Sequence, residues 1–131
     1  MKTNRDYSAR VQECMLLFLT NAAFLLNLSQ SAKDEPLSKL LYSMSEISEK
    51  CALMLFDMLY KSDETHLNPA LSKKPSGDWA KDLRSAKSDA FRIHRLLLLL
   101  SAYAPDPAAR NKIMKIFPQS RTNAHILSIL S

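Results

Sequence analysis

Apolar residues recur at every third or fourth position through the stretch Asp78–Ala104: Trp79, Leu83, Ala86, Ala90, Ile93, Leu97, Leu100 and Ala104. Intervals that alternate between four and three keep one stripe on a helix of 3.6 residues per turn. The stretch therefore predicts a helix with a continuous docking seam. Lys81, Arg84, Arg92 and Arg95 fall on the opposite side, with Lys87 at its flank. The run Leu96–Leu100 is apolar in every direction, which predicts burial all round.

The same reading predicts a first helix from about Asn4 to Leu28, with Thr3 and Asp6 placed as a capping box. Its apolar positions (Val11, Met15, Phe18, Ala22, Leu25 and their neighbours) exceed one stripe, so it should be covered on more than one side. A second helix begins near Pro36, where a missing N–H costs nothing, and runs to about Lys61. Its seam is Leu37, Leu40, Leu41, Met44, Ile47, Cys51, Met54, Leu55 and Met58, with Leu53, Phe56 and Tyr60 adding a second apolar face. Residues 62–77 have no helical pattern and read as an exposed loop; the two prolines and Gly77 punctuate it. Pro105 must end the third helix. Asp106 and Pro107 then cap and start a fourth, with Ile113, Ile116 and Phe117 inward. Pro118 is expected to break it, leaving a last segment, Ser120–Ser131, that docks through Ile126, Leu127, Ile129 and Leu130. The expected fold is all-α: one domain over residues 1–131, built as a bundle of four main helices plus a short C-terminal helical segment.

Composition narrows the function classes. Gly77 is the single glycine in 131 residues, which argues against a phosphate-cradling loop, a dinucleotide fingerprint and a hairpin-rich β fold. The formal charge is +5. Residues 1–78 carry nine basic and ten acidic side chains, and residues 79–131 carry nine basic and three acidic, so the C-terminal half holds the excess. A basic surface suits an acidic protein, nucleic acid or anionic lipid. The apolar run Cys14–Leu28 has twelve apolar residues in fifteen, interrupted by Thr20, Asn21 and Asn27. It is too short and broken for a membrane span, and no clean cleavage site follows it.

Little chemistry is assembled. His66, His94 and His125 have no Cys, Asp or Glu at a metal-ligand spacing such as i, i+4 on one helix, so no metal or cofactor is expected. Cys14 and Cys51 lie on core faces, where a thiol is inert, and they suggest a reducing compartment rather than a disulfide. Glu46 and Glu49 sit on a solvated face. No nucleophile, base and orienting group can be brought together, so the expectation is a protein that is not an enzyme. Two binding readings remain. In the first, Lys81, Arg84, Arg92 and Arg95 meet a protein partner with an acidic surface. In the second, residues 107–131 form a helix-turn-helix across Pro118–Gln119, with Arg121, Asn123 and His125 reading bases. The first is preferred: the helix-turn-helix pattern is short and lacks a tight turn glycine, and no aromatic residues alternate with the basic ones of the third helix as a single-strand binder needs.

Size, Met- and Leu-rich helices such as CALMLFDMLY (Cys51–Tyr60) and the lack of a catalytic set resemble the small all-helical regulators with which bacteria hold or silence their own type IV secretion effectors. The inhibitor of ubiquitin-deamidating effectors is an example. The resemblance implies a non-enzymatic regulator that occupies a partner's surface, in the cytoplasm or, for a secreted effector, the host cytosol. The excess of apolar surface further predicts a homodimer.

Overall fold

A computed structural model describes residues 4–60 and 73–131. Four helices, α1 (Asn4–Gln30), α2 (Glu35–Tyr60), α3 (Trp79–Ala102) and α4 (Pro107–Leu130), make an all-α bundle, with no strand among the described residues. Side-chain caps set the starts. The Asp34 carboxylate accepts from the Leu37 N–H at 2.8 Å, Asp78 from Lys81 at 3.2 Å and Asp106 from Ala109 at 2.8 Å. Each satisfies an amide that a helix start leaves without a partner. Thr3 and the stretch 61–72, which holds most of the loop expected over 62–77, lie outside the described residues.

Cross-helix bonds fix the directions. Ser45 and Ser48 of α2 donate to the carbonyls of Ala22 and Phe18, so α2 runs antiparallel to α1. The Tyr7 hydroxyl donates to the Leu100 carbonyl at 2.7 Å, so α3 is also antiparallel to α1. α4 packs antiparallel on both α2 and α3, while the pairs α1/α4 and α2/α3 are diagonal. α2 and α3 therefore point the same way. The end of α2 and the start of α3 therefore lie at opposite ends of the bundle, about 39 Å apart for a 26-residue helix. A four-helix bundle in which α2 and α3 run the same way has one crossover connection between them.

The α3 seam is inward along its length: Leu83, Ala86, Ala90, Ile93, Leu97 and Leu100 are buried, and Trp79 and Ala104 half-buried. The core has two apolar clusters. One, at the end that holds the start of α1, centres on Phe18, Leu55, Leu97 and Ile113. The other, at the opposite end, centres on Phe24, Leu41, Leu83 and Leu127. α1 is long and apolar enough by composition to cross a membrane, and here it buries Val11, Phe18, Phe24 and Leu25 against its neighbours. Between the clusters sit Asn21, Ser45, Ser48, Ser120 and Asn123, all buried. Three of them bond across helices to backbone carbonyls, which ties helix register at about 0.5–1.5 kcal/mol per bond.

Three expectations need correction. α4 does not break at Pro118; it runs on to Leu130, so no separate C-terminal segment exists. Pro118 is on the exposed side, and the inward positions Ile113, Ile116, Ser120, Ala124 and Leu127 keep helical phase across it. Their burial outweighs the cost of an interior proline, roughly 3 kcal/mol. Nor is the leucine run buried all round, since Leu98 is 51% and Leu99 38% exposed. Ile129, expected at the docking face, is 70% exposed.

Burial also makes the fold sensitive to alkali. It pushes Tyr7 up to about 12, helped by the charge of Asp106, and Cys51 up to about 11. Cys14 is raised as well, first by burial and then by Cys51. Below the ordinary values of 9.0 and 10.0 the three are protonated in both states. Above them the unfolded chain releases protons that the folded chain retains, so stability falls as pH rises toward about 12. Urea midpoints should drop steadily from pH 9 upward, and Tyr7→Phe should show a shallower fall. A flat profile would mean that these groups are solvated.

Candidate protein-interaction face on α3 and α4

The outer side of α3 carries Arg84, Ser88, Phe91, Arg95, Leu98 and Ala102, again at alternating intervals of four and three. Beside it α4 presents Met114, Pro118, Arg121 and His125. The two rows bank a trough floored by His94, Phe117 and Ala124. Phe91 is 43% exposed, Leu98 51% and Met114 52%. Toward the end of α4 the trough opens into a groove of about 490 Å³ lined by Phe91, His94, Arg121, His125 and Ser128. At its other end the Arg110 Nε donates to the Ser101 carbonyl at 3.3 Å, placing a cation on the last turn of α3, where the helix dipole favours it.

The charge on this face is not compensated. Among the described residues, Arg84, Arg95 and Arg121 pair with no carboxylate. The two acidic residues of α3 are engaged elsewhere. Asp89 pairs with Lys73 at 2.6 Å, and that ammonium also sits 4.6 Å above the Phe24 ring. Asp82 accepts from the Ser76 N–H and hydroxyl at 2.9 and 2.8 Å. Removal from water works to raise the Asp82 pKa, but the bonds from Ser76 and the Gly77 N–H outweigh it and hold the carboxyl below its usual value. These contacts fasten Lys73 and Ser76 to α3 and engage both of its acids away from the trough.

His94 belongs to the trough floor. Its ring lies 4.4 Å from that of Phe117, tilted by 40°, and Nδ1 is buried without a hydrogen-bond partner. Burial, then the nearby Arg121, depresses its pKa, so it is neutral at pH 7 and adds no charge to the face.

The residues singled out in the sequence divide. Arg84 and Arg95 lie on the α3 bank, with Lys81 exposed one turn before them. Arg92 is turned toward α1 and reaches Glu13 at 3.4 Å, which takes it out of the free set. Arg121 and His125 lie on the facing bank. Asn123 does not: it is buried, and its Nδ2 donates to the Met44 carbonyl at 3.1 Å. Continuous helix through Pro118 and a buried Asn123 remove the helix-turn-helix geometry expected over 107–131. The apolar members Phe91, Leu98 and Met114 were not singled out. A helical wheel drawn from the seam puts Phe91 and Leu98 opposite it, and that was the available signal. Comparison with protein-family models, curated proteins and solved structures finds no match for this chain.

Other concavities offer less. A cavity of about 230 Å³ between the start of α1, the end of α2 and the α3–α4 connection is lined by Tyr7, Val11, Met58, Leu59, Pro105 and Ala109. The Tyr7 hydroxyl is committed to Leu100, and Lys112 at the rim pairs with Asp57. Among the described residues, no three His, Cys, Asp or Glu side chains are grouped closely enough to hold a metal.

Proposed function

We propose that this is a non-enzymatic regulator or adaptor that works by occupying the surface of a partner protein through the α3–α4 face. One observation carries the reading: Phe91, Leu98 and Met114 lie exposed in a row flanked by arginines that no carboxylate among the described residues pairs with. Exposed apolar side chains grouped on one face mark contact sites. Uncompensated charge beside them selects an acidic partner and speeds its approach. The mode of action is the one that the resemblance to effector regulators implies.

The test is capture from native extract with mass spectrometry, after nuclease treatment, by the native chain and by Arg84→Glu/Arg95→Glu/Arg121→Glu. Recovery of specific polypeptides should fall by about tenfold or more in the triple variant, because like charges then face the acidic partner. Arg92→Ala, which removes only the exposed bridge to Glu13, should leave recovery unchanged. Equal recovery by the triple variant would overturn the proposal.

Self-association is proposed on the opposite side of the bundle, because two copies of the basic face repel. There α1 and α2 expose Leu26, Tyr42 and Leu53, the last 60% accessible. Leu53→Asp should convert a dimer to a monomer in sedimentation velocity. A native chain that is monomeric at micromolar concentration would contradict this.

A further inference from the structure

Building on the reading above, we infer that the segment held on the α3–α4 face is an amphipathic α-helix of the partner, with carboxylates on both sides of its apolar stripe. The spacing of the face is the first ground. Arg84, Ser88, Phe91, Arg95, Leu98 and Ala102 follow each other at 4, 3, 4, 3, 4, and Met114, Pro118, Arg121 and His125 at 4, 3, 4. Two parallel ridges at that interval match side chains that repeat with the helical period, whereas an extended strand presents every second residue. Phe91 and Leu98 stand one heptad, about 10.5 Å, apart on α3. Ser88 and Ala102, small and exposed, leave room beyond each of them where a visiting side chain can enter.

Charge is the second ground. Arg84 and Arg95 stand on one bank and Arg121 on the other, so an occupant lying between them is met by guanidinium groups on both flanks. Their long stems can cover apolar surface while the heads pair with carboxylates at its edge. The third ground is the backbone. Every described element is a helix, so among the described residues no sheet edge is open to hold the occupant by strand addition. Side chains alone must hold it, which is helix-in-groove recognition.

The probe is a pair of fluorescein-labelled peptides of about 21 residues, three heptads, each with Leu at both seam positions of every heptad. One carries Glu and the other Lys at the positions flanking the seam. Anisotropy titrations with the full chain should show binding of the Glu peptide and none of the Lys peptide. The Glu peptide's affinity should fall about tenfold from roughly 50 to 200 mM salt. Amide shifts on binding should map to residues 84–102 and 114–128. Phe91→Ala/Leu98→Ala, both exposed and therefore expected to fold, should weaken binding by about tenfold or more, with the thermal melt reported alongside. Failure of the Glu peptide to bind, or amide shifts on α1 and α2, would overturn the inference. So would random-sequence duplex DNA displacing the peptide at equal concentration, which would make the face a nucleic-acid surface. A native chain whose self-association is lost in Arg84→Glu/Arg95→Glu/Arg121→Glu would overturn it in favour of a second copy. If the peptide fails while the arginine-dependent capture of native polypeptides persists, the helical occupant falls and the protein-binding reading stands. If both fail, both fall.

Discussion

Leu97→Ala is expected to destabilise the protein by roughly 2–5 kcal/mol, while Leu98→Ala, one residue away, should change stability by no more than about 0.5 kcal/mol. Leu97 is fully buried in the cluster that contains Ile93, Leu100, Ile113 and Ile116. Truncation there removes apolar surface from contacts with α1, α2 and α4 and leaves a cavity that helices on all sides keep open. Leu98 is 51% exposed on the outer bank of α3, so its truncation loses little burial. Thermal or urea melts of the two variants separate the claims. The Leu97→Ala midpoint should fall by on the order of 10 °C or more for a chain of this size. Equal losses at both positions would show that the leucine run is buried all round, as its composition suggests.

Pro118→Ala should act in the opposite direction and stabilise by about 1–3 kcal/mol. In a continuous α4, proline at 118 supplies no N–H to the Met114 carbonyl, and its ring crowds that oxygen. Alanine restores the bond without disturbing the core, because position 118 faces solvent. Part of the gain is returned because alanine makes the unfolded chain freer, about 0.4–1 kcal/mol. A higher urea midpoint with an unchanged slope is the expected result. A lower midpoint would mean that residues 117–119 form a turn that needs proline, and the helix-turn-helix reading would return.

That contrast shows where local signals end. The α3 seam and the Asp106 cap were legible because each depends on neighbours within a few residues. The course of α4 was not. Whether a helix continues past Pro118 is decided by the burial of Ser120, Ala124 and Leu127 against helices distant in the chain. Asn123 was misread for the same reason: an exposed asparagine and one bonded to Met44 across the bundle look alike in sequence. The basic residues were found but not sorted. Arg92 and Arg95 lie three residues apart, and only the packing of α1 against α3 brings Glu13 to Arg92 and leaves Arg95 without a carboxylate among the described residues. The leucine run hid its own geometry, since a continuous apolar string carries no phase. The seam on either side carries it, and extending that seam through the run identifies Leu98 and Leu99 as the outward pair.

The claim that the α3–α4 face holds a protein partner is tested most directly by placing a photo-cross-linking residue, benzoylphenylalanine, at Leu98 in one variant and at Tyr42 in another. Both positions are exposed, at 51% and 50%, and they lie on opposite sides of the bundle. Nuclease-treated native extract is irradiated with each and adducts are identified by mass spectrometry. The account predicts defined polypeptide adducts at Leu98 that vanish when Arg84, Arg95 and Arg121 are changed to Glu, and none of those adducts at Tyr42. The same adducts at Tyr42 with none at Leu98 would contradict it.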